Sequence, residues 1–216
     1  MTRPDTLHAG HPVQQAGVPL QNAGAAVVML HGRGATAASI LALAIELRLE
    51  RVAYLAPQAD GNTWYPLSFL APIERNEPWL SSALAAVGST LTPVAAAGIP
   101  LERIVLLGFS QGACLAAEFA ARNARRYGGL AVLSGGLIGP ALRVEAYSGD
   151  FRGTPAFLGC SDVDSHIPAQ RVRESGDLLQ RMGAKVAVRL YPGMGHTINE
   201  DELERVRAMI TAVRDG

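Results

Sequence analysis

The chain has 216 residues, 49% of them hydrophobic and 18% charged, which fits one soluble α/β domain with a full core. Nineteen basic residues balance nineteen acidic ones, and this removes the electrostatic case for a nucleic-acid partner while leaving a homodimer open. Only two cysteines occur, Cys114 and Cys160, without metal-type spacing, and the N-terminal stretch lacks the apolar core of a signal peptide, so a reducing cytoplasm is expected. No uninterrupted apolar run reaches membrane-spanning length.

In chain order, residues 1–24 are polar with scattered Gly and Pro, and an edge hairpin or loosely held arm is expected there. Ala25–Leu30 has the make-up of a buried strand and runs into His31-Gly-Arg-Gly34. A helix follows, with Thr36 as its N-cap, and then a short strand over Arg51–Ala56. Residues 57–79 form a long loop rich in Pro and aromatics, of the length usual for lids and binding loops. A helix from Pro78 to Ala97 stops at Gly98.

Next comes Ile104–Phe109, a branched apolar run, and an alanine-rich helical run to Arg122, with Gly108-Phe-Ser110-Gln-Gly112 between them. G-x-S-x-G between strand and helix is the setting of a nucleophile elbow, a turn so tight that the serine Oγ is thrust into open space. The plain alternative is a glycine-lined turn with a capping serine. Leu130–Leu133 is a further strand, 137–153 is irregular, and Thr154–Gly159 is another strand leading to an acidic loop that ends at Pro168. A helix over Ala169–Met182, a strand over Lys185–Tyr191, the loop Pro192–His196 and a helix from Asn199 to Val213 complete the chain.

Strands alternating with helices predict right-handed βαβ units in a mostly parallel sheet, where sites form at the carboxyl ends of strands. The loops bearing His31, Ser110, Asp164 and His196 all follow strands and should converge on one edge. A serine needs a base, and the base needs an acid to orient it. His196, between glycine-rich turns, is the best base. His8 and His11 lie in the polar arm, His31 fits a structural hydrogen-bonder under the oxyanion loop, and His166 stands beside the acid. Asp162 and Asp164 both suit the order Ser…Asp…His, and spacing does not separate them. The N–H of Gln111 and that of Arg33 are the expected oxyanion donors. The Arg33 side chain is left facing an anionic substrate group or solvent, so Arg33→Ala is expected to keep activity on neutral esters.

Leu30-His-Gly-Arg-Gly34, Trp64-Tyr-Pro, Gly108-Phe-Ser-Gln-Gly-Ala113, Asp164-Ser-His-Ile-Pro168 and Tyr191-Pro-Gly-Met-Gly-His196 together resemble the carboxylesterase/phospholipase-type small α/β-hydrolases, relatives of the acyl-protein thioesterases. The resemblance runs from about residue 26 to the C-terminus. It favours Asp164, four residues before Pro168, although Cys160-Ser-Asp162 replaces the His-Gly found in many relatives. It implies the α/β-hydrolase fold, Ser110 as nucleophile, His196 as general base, Asp164 as its orienter, and no cofactor or metal. It further implies an acyl pocket lined by Trp64, Tyr65, Phe69 and Leu70. The expected function is a serine carboxylesterase on short or medium acyl esters, the same triad also serving a thioesterase or lysophospholipase. Dienelactone hydrolases share the fold but usually carry a cysteine nucleophile. An inactive scaffold acting as a small-molecule receptor is the reading from another class, and the full set of catalytic residue types speaks against it. Cys114 is expected to be buried and inert.

Overall fold

A computed structural model describes residues 6–215. Among these described residues seven strands form one sheet: β1 (Gln14–Gly17), β2 (Ala25–Leu30), β3 (Val52–Ala56), β4 (Ile104–Phe109), β5 (Gly129–Leu133), β6 (Pro155–Ser161) and β7 (Lys185–Tyr191). Their order across the sheet is β1-β3-β2-β4-β5-β6-β7, and only β1 runs antiparallel to its neighbour. Five helices connect and cover them: α1 (Ala37–Leu47), α2 (Trp79–Ala96), α3 (Gln111–Arg122), α4 (Ala169–Arg181) and α5 (Glu200–Asp215). This is the α/β-hydrolase fold.

The central strands are buried on both faces, which is why they read as unbroken apolar runs rather than alternating ones. The pleat still divides them. Val28, Leu30, Ile104, Leu106, Leu130, Val132 and Leu158 point to the layer of α2, α3 and α4. Val27, Met29, Val105, Leu107, Ala131 and Phe157 point to the layer of α1 and α5. By length and composition α2 is apolar enough to cross a membrane. It lies instead along the sheet, with Leu80, Ala83, Val87 and Val94 fully buried in the core.

The edge hairpin or loosely held arm expected over residues 1–24 falls partly on residues 1–5, which lie outside the described residues. Within 6–24 the chain gives one edge strand, β1, paired with β3, Gln14 opposite Ala56. That stretch is also anchored. His8 is buried, its Nε2 bonded to Trp64 O (3.0 Å) and its Nδ1 accepting from Asp60 N (3.0 Å). The sequence conceals this because His8 is anchored by residues more than fifty positions away. Thr36 does cap α1, with its side chain and that of Ser39 bonding reciprocally across the first turn.

Candidate active site

The site stands at the carboxyl ends of β2, β4, β6 and β7. After β4 the chain turns directly into α3, and Ser110 sits at the join with φ 56° and ψ −120°, a left-handed backbone that a serine rarely adopts. The turn is this sharp only because its flanking glycines lack side chains. A Cβ at Gly108 would lie 2.2 Å from Gly112 O, and one at Gly112 would lie 2.1 Å from Leu30 O. Ser110 makes no side-chain cap to α3, so the capping alternative falls. Its Oγ meets His196 Nε2 instead, at 2.9 Å.

His196 Nδ1 in turn bonds Asp164 Oδ2 at 2.7 Å. A carboxylate accepts only, so Nδ1 carries the hydrogen and Nε2 presents its lone pair to the serine hydroxyl. Asp164 is fully buried at its side chain, while that of His196 is 21% exposed. Burial alone would raise the Asp164 carboxyl. The bonds from His196 and from the N–H groups of His166 (2.8 Å) and Ile167 (3.0 Å) outweigh it and hold the pKa below the usual carboxylate value. The Cys160 thiol adds a weak contact to Oδ2 at 3.7 Å, and burial pushes that thiol up to about 12.

Asp162 takes a different task. Its Oδ1 accepts from Gly193 N (2.8 Å), and the hydroxyl of adjacent Ser161 accepts from Gly195 N (3.2 Å). The β6 loop thereby clamps the loop that carries His196, whose two glycines have φ of 64° and 78°. The imidazole itself is flanked by Phe109 and by the edge of His166, with centroids at 5.0 Å and 4.8 Å.

On the opposite side of Ser110 lies the loop after β2. A Cβ at Gly32 would stand only 3.4 Å from the Ser110 Cβ, so this loop passes directly beside Ser110. His31 is fully buried beneath it. Its Nδ1 donates to Gly32 O (2.8 Å) and its Nε2 accepts from Ala59 N (3.1 Å), while burial lowers its pKa and keeps it neutral. That is the structural task expected of it. Among the described residues, the main-chain N–H groups of Arg33 and Gln111 meet no protein acceptor, which suits them to an incoming oxygen.

A cavity of about 430 Å³ opens over Ser110 and His196, a size usual for small-ligand sites. Tyr65, Pro66, Leu67 and Phe69 form one wall, and His166 and Ile167 the other. Two of the four expected pocket residues are elsewhere. Trp64 is fully buried because its indole N–H needs an acceptor and finds one inward, at His31 O (2.9 Å). Leu70 faces a separate depression beside Pro140 and Arg171. Cys114, buried as expected, reaches the cavity floor, with its thiol pushed by burial up to about 12.

The side chain of Arg33 is exposed at the cavity rim, and there it donates to three carbonyls of the wall, Tyr65, Pro66 and Leu67. Sequence reading also passed over Asn76, whose buried carboxamide holds Leu67 N (2.9 Å) and Ser68 O (3.1 Å), and the wall position of His166. No local motif marks Asn76, and the motifs that hold Arg33 and His166 say nothing of where those side chains go. Among the described residues no three His, Cys, Asp or Glu side chains cluster as a metal ion would require.

Comparison with known proteins gives the family. The family model for phospholipase/carboxylesterase proteins matches residues 13–214, and the chain belongs to that family. It is 49% identical to a phospholipase/carboxylesterase of Dyadobacter fermentans of known crystal structure, with a TM-score of 0.90 over 94% of this chain and 97% of the other. Acyl-protein thioesterase 1 of Gibberella zeae is 34% identical over 115 residues, 52% of this chain and 49% of its own length. The probable carboxylesterase Os04g0669500 of rice is 29% identical over 145 residues, 67% of this chain and 54% of its own. The matched stretch thus spans about half the length of these two curated relatives. Acyl-protein thioesterase 1 of Neurospora crassa matches more fully, at 27% identity over 87% of this chain and 86% of its own.

Proposed function

We propose that this member of the phospholipase/carboxylesterase family is a serine carboxylesterase that hydrolyses short- to medium-chain carboxylic esters through an acyl-enzyme. The observation that carries the reading is the unbroken chain of hydrogen bonds from Ser110 through His196 to Asp164 at the mouth of a cavity. Ser110 Oγ attacks the ester carbonyl while His196 Nε2 takes the hydroxyl proton. Asp164 stays ionised, orients the ring and stabilises the imidazolium, a role its lowered pKa suits. The N–H groups of Arg33 and Gln111 receive the oxyanion of the tetrahedral intermediate. His196 then returns its proton to the leaving alkoxide, and a water, activated by the same nitrogen, releases the acid and restores Ser110.

A second reading, hydrolysis of acyl thioesters with the same residues, is favoured by the relatives named acyl-protein thioesterase. The receptor reading loses ground because Ser110 holds a strained backbone with its hydroxyl on an imidazole, an arrangement that mere ligand binding does not need. The two free, buried cysteines support the expectation of a reducing, cytoplasmic setting.

The test is hydrolysis of p-nitrophenyl esters from C2 to C12 and of the matching acyl thioesters by wild type and Ser110→Ala. Each protein is also incubated with a fluorophosphonate and weighed intact. Ester turnover and a single adduct in wild type, both absent from the variant, are expected. A preference for thioesters at equal acyl length selects the second reading, and a folded wild type without turnover or adduct returns the receptor.

A further inference from the structure

The two residues assigned to the oxyanion act there through main-chain atoms, so their side chains have no part in that assignment. Both side chains go to the same place. Arg33 Nη1 donates to Pro66 O (2.9 Å), and Nη2 donates to the carbonyls of Tyr65 (2.9 Å) and Leu67 (2.7 Å). The Gln111 carboxamide accepts from Trp64 N (3.0 Å) and donates to Tyr65 O (2.8 Å). Tyr65 O therefore takes one bond from each residue.

The donors themselves sit on different pieces of chain. Parallel pairing aligns β2 with β4 as far as Leu30 and Gly108. Beyond the strand ends, among the described residues, no main-chain hydrogen bond joins the loop 31–35 to the elbow 110–114. Residues 64–67 are the hydrogen-bonded link between them. That link is itself anchored from behind: Trp64 Nε1 on His31 O, His8 Nε2 on Trp64 O, and Asn76 Oδ1 on Leu67 N.

Resting on the esterase reading above, we propose that the main chain of Trp64–Leu67 is a tie that fixes the spacing of the two oxyanion donors, with the side chains of Arg33 and Gln111 as positioning groups that grip it from either side. An oxyanion hole stabilises its transition state because the donors are in place before charge develops. Loosening either grip lets one donor drift, and a misplacement near 1 Å costs about 100-fold in rate. Each grip acts on the transition state and leaves the acyl-binding wall largely in place, so the loss falls on kcat.

The experiment compares wild type, Arg33→Ala, Arg33→Lys, Gln111→Ala and the double alanine variant. For each, kcat and KM are measured on p-nitrophenyl butyrate. Inhibition constants are measured for a trifluoromethyl ketone, which forms a serine-bound oxyanion, and for butyrate, which does not. Each alanine variant should lose about 10- to 100-fold in kcat with KM within about threefold, and its affinity for the ketone should fall in step while that for butyrate holds. The double variant should lose less than the product of the two single losses, because both grips act on one segment. Added guanidinium ion should restore part of the Arg33→Ala rate, and Arg33→Lys, whose ammonium cannot fork across three carbonyls, should fall between wild type and alanine. An Arg33→Ala enzyme with wild-type kcat overturns the tie. So does a loss in which ketone and butyrate weaken equally, the mark of a merely structural role. Wild type without a fluorophosphonate adduct would instead remove the esterase reading, which keeps the two failures distinct.

Discussion

On one side of Ser110 stand Asp164 and His196, on the other Arg33, Gln111 and the wall from Trp64 to Leu67, and the two sides are held by different kinds of bond. The acid–base side is built from short side chains gripping nearby or facing backbone: Asp164 on the N–H groups two and three residues ahead, Asp162 and Ser161 on Gly193 and Gly195. The oxyanion side is built from long side chains reaching across 32 to 47 positions of sequence onto carbonyls and an N–H. Asp164 fixes its own loop, and Asp162 and Ser161 reach 31 and 34 positions to hold the facing loop of His196 through single short acceptors. Long donors make one segment depend on another, so damage there spreads from a wall to a donor. Within the loop from 57 to 79, whose length suits a lid or a binding loop, residues 64–67 are a fastened wall.

The largest test of the contrast is Asp164→Asn against Asp162→Asn. The first leaves His196 in the wrong tautomer and should lower kcat about 10⁴-fold. The second weakens a clamp and should cost about tenfold or less, because only the loop carrying His196 is loosened. Equal losses would mean that the two aspartates share the orienting role. The Arg33 and Gln111 variants come next, and their losses should be smaller than that of Asp164→Asn but larger than that of Asp162→Asn.

A third test concerns stability. Glu202, fully buried in the first turn of α5, shares a reciprocal cap with Asn199, yet its Oε1 has no hydrogen-bond partner. Burial raises its pKa from the ordinary 4.5 to about 7. The folded protein therefore holds this proton more tightly than the unfolded chain does, and its contribution to stability falls as pH rises from 4.5 towards 7, then levels. Glu202→Gln should remove that slope and raise stability at pH 8 by up to about 3 kcal/mol, read from urea melts at pH 5 and pH 8. An unchanged slope would assign it to other groups. Asp164, with its lowered pKa, works in the opposite sense, its share being lost only as the pH falls below the ordinary 3.8.

The smallest effect is in the pocket. Phe69→Ala should move the p-nitrophenyl ester profile towards longer chains by about fivefold in relative kcat/KM, while Leu70→Ala leaves it unchanged. A shift from Leu70→Ala would extend the acyl site into the neighbouring depression.

Much of this fold is legible from the sequence because its signals are local. The strands are short apolar runs closed by Gly or Pro, and Thr36, Gly98 and Gly183 mark helix ends within a residue or two. Ser110, Asp164 and His196 stand out for the same reason, each following a strand with glycine or proline within four positions. The structure adds the bond that chooses Asp164 for His196. What local patterns do not carry is the direction of a side chain whose partner lies far away. Trp64 reads as pocket but turns inward for His31 O, Arg33 reads as free but is bound threefold, and His8 reads as an arm residue but is buried under the wall. In each case tertiary hydrogen bonding decides, and no spacing rule announces it.

The order of the chain has a consequence for how the site comes into being. Ser110 and His196 are 86 residues apart, and His196 lies beyond β7, the last strand in the chain and an edge of the sheet. At a synthesis rate of about 5–20 residues per second, the chain from Ser110 to His196 takes roughly 4 to 17 seconds to make. Part-way through, β5 supplies Leu133 O, which accepts from Ser110 N (3.0 Å) and secures the turn. On the esterase reading, chemical competence therefore arrives with the last βα unit, and turnover would report on a completed sheet rather than on a folded beginning.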